Sequence, residues 1–228
     1  MSEFKFPTEV VDLPSKGLVY PKEHILRSGK IEMKYMTAKE EDILTNQNFL
    51  EKGIVVDKLL QSMIVSKINY DDLILGDKNA ILVAARILGY GAEYPAEIKD
   101  KYGKVASVKI NLSELKNKPI DETLFTPGKN EFNFELPFSK VMVTFKLLTH
   151  GDEQAIDKDI QAMQKLNKDV SYDITTRLRY MIKSVDGNSD MAAINKYITG
   201  MRAGDSKAFR EYVKKITPDM DMTFKYQH

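Results

Sequence analysis

Two glycine-containing stretches carry residue types that phosphate-binding loops use. Gly76-Asp77-Lys78-Asn79 brings a lysine close to a glycine, but it lacks the spacing of glycine to Gly-Lys found in those loops. Gly89-Tyr90-Gly91 follows a predicted helix, whereas a phosphate-binding glycine loop opens one. The pattern therefore favours helix boundaries, with Asp77 as the cap that starts a helix and Gly89 as the residue that ends it.

The histidines are poorly spaced for metal binding or catalysis. His24, His150 and His228 are scattered, with no partner at the helical or turn spacing that metal ligands use. His150-Gly151-Asp152 contains two of the residue types of a Ser-His-Asp site, but the chain lacks a Gly-x-Ser-x-Gly elbow. A strand-to-helix turn capped by Asp152 is the favoured interpretation. We expect no metal, no cofactor, and histidines that lie at the surface or cap helices.

Grouped carboxylates could in principle act as a general acid and base. They occur at Glu40-Glu41-Asp42 and at Asp71-Asp72. Such chemistry needs a shielded cleft that drives the two pKa values apart, whereas adjacent charges in the first turn of a helix are usually solvated. The sequence therefore predicts a protein that is not an enzyme.

A basic stripe on the C-terminal helices leaves open a DNA-associated regulatory protein as a less favoured alternative. Acidic residues interrupt this stripe, and the formal net charge of the 228-residue chain is only +1, so a nucleic-acid partner is not expected. The stripe consists of Arg177, Arg179, Lys183, Lys196 and Arg202.

Composition and the N-terminal residues indicate the cellular compartment in which the protein folds. The chain has no cysteine, which excludes disulfides and thiolate sites and fits folding in a reducing cytoplasm. The first residues lack a basic region followed by a long apolar stretch, so we expect no signal peptide. No apolar run approaches the ~20 residues that cross a bilayer, and we expect no membrane partner.

Hydrophobic periodicity predicts an α+β protein with four regions. A capping box of Thr37 and Glu40 starts a helix that runs to about Leu50, and a second helix completes a helical hairpin. The regions are an extended N-terminal arm (1–36), a mixed region with the helical hairpin and antiparallel β-hairpins (37–148), an antiparallel helical bundle (149–217) and a strand-like tail (218–228).

Two β-hairpins are predicted in the mixed region, and their four strands could share one antiparallel sheet. In the first, Tyr94, Ala96 and Ile98 lie across a turn near 100–103 from Val108, Ile110 and Leu112. The second joins Phe132–Leu136 to Val141–Leu147.

Four apolar stripes predict the helices of the bundle. Ile174, Leu178, Met181, Ile182 and Val185 form one such stripe. Glycine stops and caps in Asp186–Ser189 and Ala203–Ser206 separate successive helices.

Three further patterns lie near the front of the chain. Leu13-Pro14-Ser15-Lys16-Gly17-Leu18-Val19-Tyr20-Pro21 is an extended segment broken by turns, and Met36–Asn46 contains the capping box. The third pattern is Asp71–Ile81 followed by Arg86–Gly91. Together these segments resemble the small baseplate proteins of T4-type contractile-tailed bacteriophages, a family that includes a baseplate hub subunit and a hub assembly factor.

The resemblance covers about the first two-fifths of the chain and implies a structural role in the hub region of a tail baseplate. It implies other baseplate and hub proteins as partners in a multi-subunit assembly, located in the virion and, during assembly, in the host cytoplasm. A hub assembly factor that leaves the finished particle is the alternative within the family. The paired cysteines of some relatives are missing from this chain.

Two segments are candidates for contact with partners. The first is the Leu13–Pro21 segment, which either adds to a partner's sheet or packs on its own core. The second is the tail, where apolar residues alternate until the chain stops, as in a truncated strand or one donated to a partner. The candidate contact residues are Leu13, Pro14, Leu18, Tyr20, Met220, Met222 and Phe224.

Overall fold

The computed structural model describes residues 7–99, 103, 105–166 and 171–224. Over this part of the chain helices alternate with small antiparallel sheets, so the predicted α+β class is confirmed. The α-helices are α1 (Ala38–Leu44), α2 (Gln47–Glu51), α3 (Val55–Met63), α4 (Leu75–Tyr90), α5 (His150–Leu166), α6 (Asp173–Met181), α7 (Met191–Gly200) and α8 (Ala203–Ile216). The strands are β1 (Thr8–Asp12), β2 (Lys30–Lys34), β3 (Glu93–Lys99), β4 (Val105–Asn111), β5 (Lys116–Asn117), β6 (Phe132–Glu135), β7 (Met142–Phe145), β8 (Ile182–Val185) and β9 (Met220–Asp221).

The N-terminal region is a strand pair that encloses a buried segment. β1 and β2 are antiparallel, with Thr8 opposite Lys34. The connection between them, 13–29, folds inward, and Leu13 and Tyr20 are buried in the main hydrophobic core. The region predicted as an extended arm is therefore strand pair and core, because its apolar residues find partners within the chain.

Two glycines allow this connection to fold on itself. Gly17 and Gly29 both have positive φ, at 76° and 70°. A Cβ on Gly17 would lie 2.3 Å from the carbonyl oxygen of Arg27, and one on Gly29 would lie 2.8 Å from the carbonyl carbon of Lys16. Larger residues at either position would force these two backbone segments apart.

A buried carboxylate joins the 13–29 connection to helix α4. Asp77 is fully buried and accepts hydrogen bonds from the Ser15 backbone N–H (2.9 Å), the Ser15 hydroxyl (2.7 Å) and the Tyr20 hydroxyl (2.7 Å). The Tyr20 oxygen in turn accepts from the backbone N–H of Ile74, at 3.1 Å. Burial raises the pKa of Asp77, although the hydrogen bonds from Ser15 and Tyr20 oppose the rise. The prediction that Asp77 caps the helix is wrong, because α4 begins at Leu75 and its first turn points this side chain into the core.

A second buried carboxylate joins β2, α1 and α3. Glu40 is fully buried and accepts from the Lys34 ammonium (2.8 Å), the Ser62 hydroxyl (2.6 Å) and both the backbone N–H and hydroxyl of Thr37 (3.0 and 2.6 Å). Burial disfavours the charged form, but these hydrogen bonds outweigh it and lower the pKa of Glu40 to about 2. The predicted reach of Glu40 back to Thr37 is confirmed.

Two predicted helix boundaries need correction. The helix expected over Thr37–Leu50 is two helices, because the Asn46 side chain accepts the backbone N–H of Phe49 and caps a new start at α2. Helix α4 runs through Gly89 and ends at Tyr90. Gly91, with a φ of 80°, follows it in place of Gly89.

The prediction that the strands of the two hairpins share one antiparallel sheet is also wrong. β3 and β4 pair only with each other, whereas β6, β7 and β8 form a separate sheet in that order. The sequence predicted that Ile182–Val185 would end a helix. Instead α6 stops at Met181, and Ile182–Val185 forms β8, which pairs with β7. Phe145 of β7 packs against Phe209 of α8, with ring centroids 5.0 Å apart, and so joins this sheet to the C-terminal helices.

The C-terminal half is therefore helices interrupted by a strand, and not a purely helical bundle. Ala203–Ser206, expected to separate two helices, is the first turn of α8. Its buried Asp205 accepts the backbone N–H groups of Phe138 (2.9 Å) and Ser139 (3.1 Å), which orients α8 against the β6–β7 turn.

Asp77→Ala should lower the free energy of unfolding by at least about 3 kcal/mol, because it leaves buried donors of Ser15 and Tyr20 without an acceptor. Asp71→Ala, at an exposed position of the same segment, is the matched control and should change it by less than about 0.5 kcal/mol. Urea unfolding of both variants measures the difference. Equal losses in the two variants would contradict the role given to Asp77.

Glu40→Gln should lower the free energy of unfolding by about 3 kcal/mol at pH 7. The folded pKa of Glu40 is depressed, so its contribution is complete above the ordinary value of 4.5 and is lost as the pH falls toward about 2. The gap between wild type and Glu40→Gln should therefore close over that interval in urea titrations at several pH values. Glu41→Gln, an exposed neighbour with the same charge change, should show little gap at any pH. A Glu40→Gln gap that stays constant down to pH 2 would refute the depressed pKa.

Candidate protein-contact surface

The predicted contact residues divide into buried and exposed groups. Leu13, Pro14 and Tyr20 are buried within the chain, and Leu18 is half-buried against the same core. The Leu13–Pro21 segment therefore packs on its own core, which was one of the two predicted alternatives.

The tail also packs in part on its own chain. β9 pairs antiparallel with β5, and the Met220 side chain is buried against Ala80 and Val83 of α4. Met222 and Phe224 remain 48% and 46% exposed. Residues 225–228 of the predicted tail and most of the predicted turn at 100–103 lie outside the described residues.

The β3–β4 hairpin has one apolar and one polar face. The register places three cross-strand pairs on the apolar face: Tyr94 with Ile110, Ala96 with Val108, and Ile98 with Ala106. Alternation of side chains along each strand puts charged residues such as Glu93 and Lys109 on the other face. Leu112, expected in this pattern, falls in the short 3-10 turn after β4.

This apolar face does not belong to either hydrophobic core. None of the described residues of β3 or β4 is buried, and none packs against the core clusters. Tyr94 is 45% exposed. Within the described chain neither strand has a second neighbour, so both outer edges of the hairpin carry backbone groups free to pair.

Helix α4 fixes the base of the hairpin. The Arg86 guanidinium donates to the carbonyl oxygens of Gly91 (3.0 Å) and Glu93 (3.3 Å). It also lies over the rings of Tyr90 and Tyr94, at 5.2 and 5.6 Å from their centroids. The hairpin therefore projects in a defined direction from a helix that is anchored in the core through Asp77.

The exposed tail lies beside this hairpin. A groove of 320 Å³ is lined by residues of β4, among them Val108 and Ile110, and by Thr223 and Phe224. We call the apolar face of β3–β4 together with Phe224 the contact surface. The sequence predicted Phe224 as a contact residue and predicted the hairpin itself. It did not indicate the hairpin as a contact surface, because the alternating apolar residues were expected to lie in a shared sheet.

A cluster of titratable groups lies elsewhere, around His150. The Lys78 ammonium contacts Asp57 (2.6 Å) and the Nδ1 atom of His150 (3.1 Å), and the Tyr70 hydroxyl donates to Asp57 (3.0 Å). Gln154 contacts the Nε2 atom of His150 at 2.9 Å. Burial and the neighbouring Lys78 lower the pKa of His150, which favours its neutral form.

This cluster is a closed network that joins α3, α4 and α5. Both ring nitrogens of His150 already have partners, and His150 is 3% exposed, so the expectation of a surface histidine is corrected. The cap at the start of α5 is Thr149, whose hydroxyl accepts the Asp152 backbone N–H (3.3 Å) while the Asp152 carboxylate accepts the Thr149 N–H (3.0 Å). The predicted cap, Asp152, is therefore the reciprocal partner of the cap Thr149 and not the cap itself.

The basic stripe of the C-terminal helices is partly neutralised. Arg177 pairs with Glu153 and Asp173, and Lys183 pairs with Glu131. Two of its five cations are thus committed to carboxylates of the same chain.

The described residues form neither a clustered metal site nor a membrane-spanning helix. They contain no group of three or more His, Asp or Glu side chains placed to hold a metal ion. Among the helices formed by these residues, none is both long enough and apolar enough to span a bilayer.

Comparisons with protein-family models, with curated proteins and with solved structures gave no match to this chain.

Ile110→Ala should cost less than about 1 kcal/mol of unfolding free energy, because Ile110 lies on a face that no core residue covers. Ile81→Ala removes the same atoms from a fully buried site in α4 and should cost about 2–5 kcal/mol. Chemical denaturation of the two variants makes the comparison. If Ile110→Ala were as costly as Ile81→Ala, the hairpin would be part of the folding core and not a surface for partners.

Proposed function

We propose that this protein is a structural component of the hub region of a contractile-tailed bacteriophage baseplate, which acts by binding other baseplate proteins during tail assembly. It would work without a cofactor and without catalysis, in the virion and, before that, in the host cytoplasm. The observation that carries the binding role is the contact surface, an amphipathic hairpin whose apolar face packs against neither core.

The contact surface has the features by which proteins bind one another. An isolated two-stranded hairpin is only marginally stable in water, and binding to a partner would cover its apolar face. Tyr94 and Phe224 are partly exposed aromatic side chains, and aromatic residues are the usual anchors of interfaces. The free edges of β3 and β4 offer a partner strand a ladder of backbone hydrogen bonds.

The baseplate setting rests on the resemblance of the N-terminal segments. Ser15 and Tyr20 of Leu13–Pro21 each donate a hydrogen bond to Asp77 of Asp71–Ile81. Met36–Asn46 contains Glu40, which accepts from Thr37. These segments therefore specify the core of the protein. A family that keeps them would keep the framework that positions the hairpin.

The alternative within the same family is a hub assembly factor that is absent from the finished particle. Both roles use binding surfaces, so the difference lies in whether the protein remains in the tail.

Mass spectrometry of purified tailed particles from the encoding phage tests the proposal. We expect the polypeptide to be present at a low copy number that matches the symmetry of the tail. Absence from complete particles, with abundant protein in infected lysate, would replace the structural role with that of an assembly factor. Absence of any association with tail intermediates would overturn both.

Val108→Asp should reduce incorporation into particles by at least about tenfold, because it places a carboxylate on the apolar face of the hairpin. Val10→Asp is the matched control, since Val10 is 60% exposed on β1, outside the contact surface. It should be incorporated like the wild type. Complementation of a phage that lacks the gene, followed by quantitative mass spectrometry, measures both. Equal incorporation of the two variants would rule out the hairpin as the contact.

A further inference from the structure

The hydrogen bonds at the base of the β3–β4 hairpin determine which backbone groups face outward. The Leu112 N–H donates to the Ala92 carbonyl oxygen at 2.9 Å, and the register continues from there, with Tyr94 opposite Ile110. Hydrogen-bonded and non-hydrogen-bonded pairs alternate along an antiparallel ladder. The even-numbered residues of β3 and β4 therefore bond across the hairpin, and the N–H and C=O groups of the odd-numbered residues point away from it.

The outer edge of β3 is interrupted in its middle. Pro95 is one of its outward-facing residues, and proline has no N–H to donate. Within a ladder proline is found where its nitrogen faces away from the paired strand, which agrees with the phase derived from Leu112 and Ala92. Proline at a sheet edge opposes pairing with a further strand.

The outer edge of β4 is complete. No backbone hydrogen bond joins it to the described part of the tail or to any other described residue outside the hairpin. This edge therefore offers a full ladder to a strand that the described chain does not supply. Its outward-facing residues, all with an N–H, are Val105, Ser107, Lys109 and Asn111.

The sequence of β4 is complementary to itself in an antiparallel register centred on Val108. In that register Ser107 lies opposite Lys109 of a second copy, and both residues have outward-facing backbone groups that can exchange two hydrogen bonds. Ala106 lies opposite Ile110 of the second copy, so apolar residues meet apolar ones on the same face. No like charges lie directly opposite each other, and the Lys109 ammonium is already balanced by Glu93 at 2.9 Å.

We infer that two copies of this chain join through their β4 edges into one four-stranded antiparallel sheet, in the order β3–β4–β4–β3. This pairing rests on the proposed binding role of the hairpin and names a second copy as its first partner. The contact is isologous, because the same edge serves both copies. It removes the free β4 edge and turns a marginally stable hairpin into a sheet of more than three strands, whose enlarged apolar face remains for other proteins.

The mass of the purified full-length protein tests the pairing. In sedimentation equilibrium over about 1 μM to 1 mM, we expect the mass to rise from that of one chain to that of two, because small interfaces dissociate in this range. A monomer over the whole range would overturn the pairing. If such a monomer still entered phage particles, the baseplate role would stand and a foreign strand would be the occupant of the β4 edge. A dimer that never enters particles would leave the pairing intact and refute the baseplate role.

Proline substitutions distinguish the two edges. Ser107→Pro removes an outward N–H from the centre of the β4 edge, leaves the ladder within the hairpin intact, and should weaken dimerisation at least about tenfold. Glu97→Pro is the matched control, since Glu97 lies opposite Ser107 and faces the β3 edge that Pro95 already interrupts. It should dimerise like the wild type. Equal dimerisation of the two variants would overturn the choice of edge.

Single cysteines test the register without relying on proline, because the chain has no cysteine of its own. Val108→Cys places two thiols at the centre of the register, where Cα atoms of a non-hydrogen-bonded pair lie about 4.5 Å apart, within disulfide range. We expect a disulfide-linked dimer on mild oxidation. Ile110→Cys is the control, since its two copies would lie more than about 13 Å apart and should remain unlinked. Linking of both variants at the same rate, or of neither, would contradict the register.

Discussion

The three hydrogen bonds accepted by the Asp77 carboxylate determine how the N-terminal third of this protein folds. Two of them connect residues 62 positions apart along the chain, because Ser15 lies in the connection between β1 and β2 and Asp77 lies in the first turn of α4. The third comes from Tyr20 in the same connection. A buried carboxylate is expensive unless it is fully hydrogen-bonded, so only one arrangement of the connection is acceptable. Glu40 imposes the same requirement on β2, α1 and α3. Asp77 fixes α4, and α4 fixes the base of the hairpin through Arg86.

The organisation of the surface follows from this framework. The core buries Leu13, Val19, Tyr20 and Leu26 of the 13–29 connection, whereas the apolar face of β3–β4 lies outside both core clusters. The uncovered hairpin is the feature from which we propose a binding role. The His150 network is the contrasting case, because its charged and polar groups have mutual partners and tie helices together.

Local patterns were predictable from the sequence, and long-range pairings were not. The reach of Glu40 to Thr37 spans three residues, and strict alternation gave both hairpins. The role of Asp77 was missed because its partners are distant and an acidic residue near a helix start resembles a cap. β8 was missed because Ile182 and Val185 continue the helical spacing of Leu178. For the candidate site, periodicity alone cannot tell whether an apolar segment such as Leu13–Tyr20 covers its own core or a partner. It left Met220 and Met222 outside every helix stripe, and of these Met220 is buried whereas Met222 is 48% exposed.

We propose that partners contact the protein through the β3–β4 hairpin. Cross-linking of lysines in intact tail-assembly intermediates, followed by mass spectrometry, tests it most directly, since Lys99 and Lys109 are exposed on the two strands of that hairpin. We expect links to other proteins to concentrate at these two lysines. Links concentrated at exposed lysines elsewhere, such as Lys30 or Lys207, with Lys99 and Lys109 unlinked, would contradict it.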